Sequence, residues 1–90
     1  GKPDGTARLF YTNQKIRAEI TYENGEIRTF REFFPDGTPR TELEYRKGKR
    51  QGEAKFYYST GHLLCEGKYT KGKRTGNWQY YKVTGDRKEN

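Results

Sequence analysis

The sequence predicts an all-β fold, a single-layer twisted antiparallel meander of stacked β-hairpin repeats of about 24 residues each. Glycine and aromatic residues recur at that period, and apolar and polar residues alternate in the segments between the glycines. Only 29% of the 90 residues are hydrophobic, yet 16% are aromatic. Such a chain cannot build a large globular core and instead buries aromatic rings with polar ends.

The repeat is visible in several residue types at once. Gly37, Gly61 and Gly85 are 24 positions apart, and the tetrapeptide Lys-Gly-Lys-Arg occurs at 47–50 and again at 71–74. The N-terminal part follows the same pattern when it is shifted by 47 positions, which indicates one deletion. We therefore predict one repeat domain over residues 1–90, with units at about 5–27, 28–51, 52–75 and 76–90, the last one truncated.

Each unit is predicted to be a hairpin, because turn dipeptides separate the alternating runs. These dipeptides are Asn24-Gly25, Asp36-Gly37, Lys47-Gly48, Thr60-Gly61 and Lys71-Gly72. The pattern gives seven or eight antiparallel strands. Since the sequence stops after half a hairpin, we expect an exposed edge at about residues 77–82. This edge would self-associate or pair with residues outside the sequence.

The two faces of the predicted sheet differ. One face is mostly apolar and is expected to pack, whereas the other carries columns of residues that recur in each unit. The columns are Phe10, Phe33, Tyr57 and Tyr81; Glu19, Glu42 and Glu66; and Arg8, Arg31 and Lys55, followed by Gln79. Oppositely charged columns support strand pairing, so they are interpreted first as register elements. The alternative is that the aromatic and basic columns form a docking face.

Basic residues are concentrated in the two later turns between units. This basic rim consists of Arg46, Lys47, Lys49, Arg50, Lys71, Lys73 and Arg74. The corresponding first turn, Glu23-Asn24-Gly25-Glu26, is acidic. The net charge of +7 favours acidic partners without choosing among them. The rim is either a device for solubility or a surface for phosphates or a carboxylate-rich partner.

No set of residues predicts catalysis, a metal site or a cofactor. His62 and Cys65 are three positions apart on a strand, which places them on opposite faces, and there is no second His or Cys. No glycine-rich segment precedes a helix with Lys-Ser/Thr, as a phosphate loop requires. We predict that the chain is not an enzyme.

The repeat resembles a known family. The pattern that carries the resemblance is Gly52-x-Ala54-x-Phe56-Tyr57-Tyr58-x-x-Gly61-x-Leu63-x-x-Glu66-Gly67-x-Tyr69-x-x-Gly72. It is similar to the MORN repeat variant, in the form found in bacterial YwqK-type antitoxin-like proteins. Phe30 and Ala54 replace the Trp of that pattern, and Gln14 replaces its turn Gly.

The resemblance implies a non-enzymatic binding or scaffold module, such as an antitoxin or immunity-type partner of a bacterial toxin. The alternative is a peripheral binder of anionic membrane surfaces through the basic loops. An acidic protein is the expected partner, with anionic lipid second and nucleic acid last. The compartment stays open between the bacterial cytoplasm and, if a leader has been removed, the cell envelope.

Overall fold

The computed structural model describes residues 4–87, which form one open antiparallel sheet. Its strands are β1 (Gly5–Phe10), β2 (Ile16–Glu23), β3 (Glu26–Phe33), β4 (Pro39–Arg46), β5 (Lys49–Tyr57), β6 (Leu63–Thr70) and β7 (Lys73–Tyr80). The strand order follows the chain from β1 to β7. The molecule measures 49 × 36 × 11 Å, so the sheet is a single layer. The predicted all-β meander is confirmed, with seven strands.

Three turns connect one hairpin to the next, and all three have the same backbone conformation. Each has two consecutive residues with positive φ: 53° and 82° at Asn24-Gly25, 50° and 78° at Lys47-Gly48, and 52° and 87° at Lys71-Gly72. Two left-handed residues in a row are typical of a type I′ turn, whose twist matches that of paired strands. These turns lie at one end of the strands, because successive turns of a meander alternate between the two ends.

The turns within hairpins lie at the opposite end of the strands and also share one geometry. In the third hairpin the Tyr58 amide donates to the carbonyl of His62 at 2.8 Å, and the Gly61 amide donates to the carbonyl of Tyr58 at 3.0 Å. The same two bonds close the turns at 11–15, 34–38 and 82–86. Glycine occupies the left-handed position of each turn except the first, where Gln14 has a φ of 71°.

The core lies on the apolar face, in the middle of the sheet. Leu43, Ala54 and Tyr69 are buried. The half-buried residues Phe30, Tyr45, Phe56 and Trp78 pack against them. Burial of this row removes apolar surface from water at about 25 cal/mol per Å², which is the main force holding so thin a sheet together.

Trp78 fills the space above a glycine. A Cβ added at Gly67 would overlap the Trp78 indole ring. The ring also meets Tyr69 edge to face, with centroids 5.2 Å apart. Gly67 is therefore required for close approach of the indole rather than for its backbone conformation.

Tyrosine hydroxyls connect successive hairpins. The Tyr11 hydroxyl donates to the carbonyl of Phe33 at 2.6 Å, and the Tyr58 hydroxyl donates to the carbonyl of Tyr81 at 2.7 Å. Tyr11 and Tyr58 are 47 positions apart, the shift that superposes the two parts of the sequence. These bonds satisfy carbonyls at the ends of strands, where the sheet ladder stops.

The C-terminal edge is partly covered by the chain itself. Tyr81 forms an isolated bridge with Arg87, and the Lys82 amide donates to the carbonyl of Asp86 at 2.7 Å. Along its length β7 pairs only with β6 within residues 4–87. The predicted self-association through residues 77–82 stays a prediction. None of the described residues form a helix long and apolar enough to cross a membrane.

Candidate interaction surface

Two successive turns of the basic rim form one depression. Its volume is about 420 Å³ and it is lined by Arg46, Lys47, Lys49, Gln51 and Lys71. Four of these five residues are cationic. We call this feature the basic depression. No other charge of either sign lines it, so it presents a concentrated positive potential to solvent.

Backbone contacts hold the two turns together. The Lys71 amide donates to Oε1 of Gln51 at 2.8 Å, and the Gly72 amide donates to the carbonyl of Arg50 at 2.9 Å. The turn at 71–72 is thus fixed to the strand that leaves the turn at 47–48. These two bonds fix the backbone of Lys71 and Gly72 relative to β5.

The other three members of the predicted rim do not line the depression. Lys73 is paired with Thr70 beside the last inter-hairpin turn. Arg50 and Arg74 lie on the apolar face, where the Arg50 guanidinium is 5.3 Å from the centroid of the Tyr69 ring. The Arg74 guanidinium is 3.9 Å from the centroid of the Trp78 ring. The structure therefore divides the rim into a lysine-rich depression and two arginines stacked on aromatic rings.

The acidic and basic columns form one continuous row across the sheet. Directly paired residues along it are Arg8, Glu19, Arg31, Glu42, Lys55, Glu66 and Gln79. Arg8 Nε lies 2.9 Å from a Glu19 carboxylate oxygen, and Arg31 approaches the Glu42 carboxylate at 3.3 Å. Alternating charges in register stabilise strand pairing by about 0.2–1 kcal/mol per pair. Both columns contain the contacts expected of register elements.

The aromatic column has two kinds of member. The Tyr57 hydroxyl donates to Glu42 Oε1 at 2.6 Å, and the Tyr81 hydroxyl donates to Glu66 Oε2 at 2.8 Å. Burial, followed by the hydrogen bond to Glu42, raises the pKa of Tyr57 to about 12. The hydrogen bond to Glu66 raises the pKa of Tyr81.

The phenylalanines of the aromatic column lack these bonds. Phe10 is 57% exposed. Phe33 lies under the Arg31 guanidinium, whose Cζ is 5.5 Å from the centroid of the Phe33 ring. The column lies near the turns within hairpins, at the far end of the strands from the basic depression. For β5 that separation is about 26 Å at 3.3 Å per residue. The aromatic column and the basic rim therefore do not form one site.

Two further depressions lie along the charged row and differ from the basic one in composition. The smaller, of about 250 Å³, contains Arg31 and Lys55 together with Glu42, Glu44 and Glu53. The larger, of about 340 Å³, contains Lys55 and Lys68 together with Glu53 and Glu66. The smaller is lined by two basic and three acidic residues and the larger by two of each, so neither has the unopposed positive charge of the basic depression.

The His-x-x-Cys pair has packing roles. The His62 ring lies where a Cβ on Gly85 would clash, at 2.8 Å from Nδ1. Burial raises the pKa of the Cys65 thiol, which lowers the fraction of reactive thiolate. In residues 4–87 no group of three or more His, Cys, Asp or Glu side chains is placed to hold a metal ion.

Sequence reasoning missed the stacking of Arg50 and Arg74, although a signal was present. Strict alternation back from Ala54 and from Trp78 places both arginines on the apolar face. Gln51 was also missed, because nothing in a turn sequence shows that a side chain will bind the backbone of the next turn.

Comparison with known proteins supports the repeat assignment. The family model described as MORN repeat variant matches residues 3–24 and 50–71, which contain β1 with β2 and β5 with β6. No curated protein and no solved structure matches the chain. Repeats of this family are generally non-enzymatic binding modules. Residues 3–24 and 50–71 are therefore MORN repeat variants, and they lie within one continuous array of hairpins.

Proposed function

We propose that this chain is a binding module that docks an acidic protein partner on the basic depression. The observation that carries the proposal is the convergence of Arg46, Lys47, Lys49 and Lys71 from two separate turns. Like charges repel, so gathering them costs folding energy unless counter-charges are supplied from outside the chain. An acidic partner would supply those charges and be steered to the surface by its potential.

The charges of the depression are not used within the described chain. The salt bridges of residues 4–87 involve Arg8, Arg28 and Arg31, each paired with a glutamate. None of them involves a residue of the basic depression. Within residues 4–87 the four cations are therefore not paired with a carboxylate and are available to a partner.

A protein partner is favoured over an anionic membrane by the location of the exposed apolar residues. Peripheral membrane binding combines basic residues with an apolar anchor beside them. The large exposed apolar side chains are Leu9, Phe10 and Val83. All three lie at or next to turns within hairpins, at the opposite end of the strands from the basic depression.

An antitoxin or immunity-type role is one form that this binding could take, as the family resemblance implies. A toxin neutralised by this chain would present a carboxylate-rich face to the basic depression. Purified candidate toxin from a neighbouring gene should then bind the wild-type chain and lose binding to a depression variant. Equal binding of both would remove the depression from such a role.

The direct test measures binding to poly-L-glutamate, a protein-like acidic probe. Replacing Lys47 and Lys71 by Glu should weaken binding by about 100-fold, since two attractions become repulsions. The matched control replaces Lys15 and Lys82, which flank turns at the opposite end of the strands, and changes the net charge equally. It should weaken binding by only about two- to threefold.

Two results would overturn the proposal. One is equal loss of binding in both double variants, which would show that only net charge matters. The other is strong binding of the wild type to phosphatidylglycerol vesicles at physiological salt with no binding to poly-L-glutamate, which would favour the membrane alternative.

A further inference from the structure

Arg50 and Arg74 occupy equivalent positions that the fold does not require to be charged. Each lies directly across from a tyrosine of the preceding strand, Tyr45 for Arg50 and Tyr69 for Arg74. In the first inter-hairpin turn the residue across from Tyr22 is Ile27. An apolar side chain therefore satisfies this position, and the guanidinium groups add something beyond packing.

Both guanidinium groups are held in place by aromatic rings. Arg50 stacks on Tyr69 and its Nη1 donates to the Tyr69 hydroxyl at 3.3 Å. Arg74 stacks on Trp78 and hydrogen-bonds to the Tyr80 hydroxyl. Cation–π stacking fixes the plane of a guanidinium and leaves its N–H edge free.

Most of the donors on these two groups have no acceptor in the described chain. A guanidinium has five N–H donors; Arg74 gives one to the Tyr80 hydroxyl, and Arg50 interacts with the hydroxyls of Tyr69 and Tyr45. Neither arginine takes part in a salt bridge within residues 4–87. Both side chains are exposed. A carboxylate can therefore reach the free edge of either group.

The spacing of the two arginines is set by the sheet. Arg50 lies on β5 and Arg74 on β7, with β6 between them. Two strand spacings amount to about 10 Å across the sheet, and Arg50 lies two residues along β5 from the row that contains Gly52, Tyr69 and Arg74, so the two arginines are about 12 Å apart. Two carboxylates four residues apart in an extended segment point to the same side and are separated by about 13 Å, since each residue advances the chain by about 3.3 Å.

We propose that Arg50 and Arg74 form a pair of preoriented carboxylate receptors that selects the acidic protein segment bound by this chain. The proposal rests on the proposed function and adds the residues that distinguish a carboxylate pair from general negative charge. Bidentate arginine–carboxylate bonds are directional, whereas the lysines of the depression act as point charges. The surrounding Trp78 and Tyr69 supply the residue types that dominate protein–protein contacts.

The experiment uses Trp78 as the reporter, because it is the only tryptophan in the chain. A carboxylate that binds Arg74 changes the charge 3.9 Å from the indole ring centroid and should change its emission. Poly-L-glutamate is titrated into the wild type, the charge-conserving variant R50K/R74K, and the control R40K. Arg40 is also stacked on a ring, that of Phe34, but lies elsewhere on the sheet.

We expect the R50K/R74K variant to bind about tenfold more weakly and to lose the Trp78 response, because lysine keeps the charge but not the planar fork. The R40K variant should match the wild type. Equal binding of R50K/R74K and wild type, with K47E/K71E still weakened, would overturn this proposal and leave the proposed function standing. Absence of binding by the wild type would overturn both.

Discussion

The first inter-hairpin turn and the two later ones have the same backbone and opposite chemistry. The φ pairs at Asn24-Gly25, Lys47-Gly48 and Lys71-Gly72 differ by less than 10°. The first turn is flanked by Glu23 and Glu26, and its Asn24 amide is bound by the Asp4 carboxylate at 2.6 Å. In the last turn the equivalent amide of Lys71 is bound by the neutral Gln51.

All three turns need the same backbone conformation, and only their side chains differ. A type I′ turn needs two residues that tolerate positive φ, and Asn-Gly provides them at the lowest cost. Lysine in the left-handed region is strained relative to asparagine. Lys47 and Lys71 therefore lower the free energy of unfolding slightly, which is consistent with a role in binding.

The two halves of the sheet also differ on their faces. The Trp78 indole above Gly67 has no counterpart in the first hairpin pair, where Ile20 and Phe30 are directly opposed. The hydroxyls of Tyr57 and Tyr81 donate hydrogen bonds to glutamates, whereas Phe10 and Phe33 at the corresponding positions have no hydroxyl. The largest effects of substitution should thus be found in the C-terminal half.

Replacing Gly67 by Ala should produce the largest loss of stability. The added Cβ would overlap the Trp78 ring, and overpacking of this kind costs about 1–3 kcal/mol in the free energy of unfolding. Urea denaturation followed by Trp78 emission measures it. K68A, at the neighbouring exposed position, serves as the control and should stay within about 0.5 kcal/mol of wild type. A G67A protein as stable as wild type would show that the indole does not lie on Gly67.

Making the first turn basic should extend the binding surface. In E23K/E26K the three inter-hairpin turns carry the same sign of charge, so affinity for poly-L-glutamate should rise about five- to tenfold. The salt bridge between Glu23 and Arg28, 3.6 Å long, is lost, but an exposed pair contributes at most about 1 kcal/mol. Unchanged affinity would confine binding to the later turns.

Two reciprocal substitutions at the left-handed position of the turns within hairpins should change the free energy of unfolding in opposite directions. Q14G should stabilise the chain by about 1 kcal/mol, because Gln14 has a φ of 71° that glycine adopts without strain. G61Q should destabilise it by a similar amount, since Gly61 has a φ of 96°. Both values follow from chemical denaturation. Effects of the same sign in the two variants would contradict the equivalence of these turns.

The Tyr57 phenol, which is hydrogen-bonded to Glu42, should make the free energy of unfolding fall at high pH. Its folded pKa of about 12 lies above the unfolded value of 10.0, so the neutral phenol is stabilised in the fold. That stability is fully present below pH 10 and is lost as the pH rises from 10 towards 12. In urea denaturation at a series of pH values, the difference between wild type and Y57F should be constant below pH 9 and shrink above pH 10. The F33Y variant provides the reverse comparison, because it places a phenol at the equivalent position in the N-terminal half.

Much of the fold could be predicted because a residue that recurs every 24 positions is almost always a register element. The charged row and the turns are such features, and both lie where alternation and turn chemistry place them. The close contact of Trp78 with Gly67 could not be predicted. Between two regular pairs, residues 76–78 of β7 lie opposite the single residue Gly67 of β6, which makes a β-bulge. The alternation of apolar and polar residues does not predict where such a bulge places a side chain.

The candidate surface was predicted less completely than the fold. Sequence spacing showed that the basic residues would lie at one end of the strands, and strict alternation could have placed Arg50 and Arg74 on the apolar face. Nothing in the sequence showed that Gln51 would fix the next turn. Side-chain contacts between units depend on three-dimensional packing, which a repeat pattern constrains only in register.

The measurement that tests the central claim most directly is the stability and affinity of the same variant, K47N/K71N. The two later turns then become copies of the first in their left-handed residue. We predict that the free energy of unfolding rises by about 0.5–1 kcal/mol per turn. We predict that affinity for poly-L-glutamate falls by about tenfold. A variant that loses stability, or that gains stability while binding as tightly as wild type, would contradict the claim that these lysines serve binding at the expense of folding.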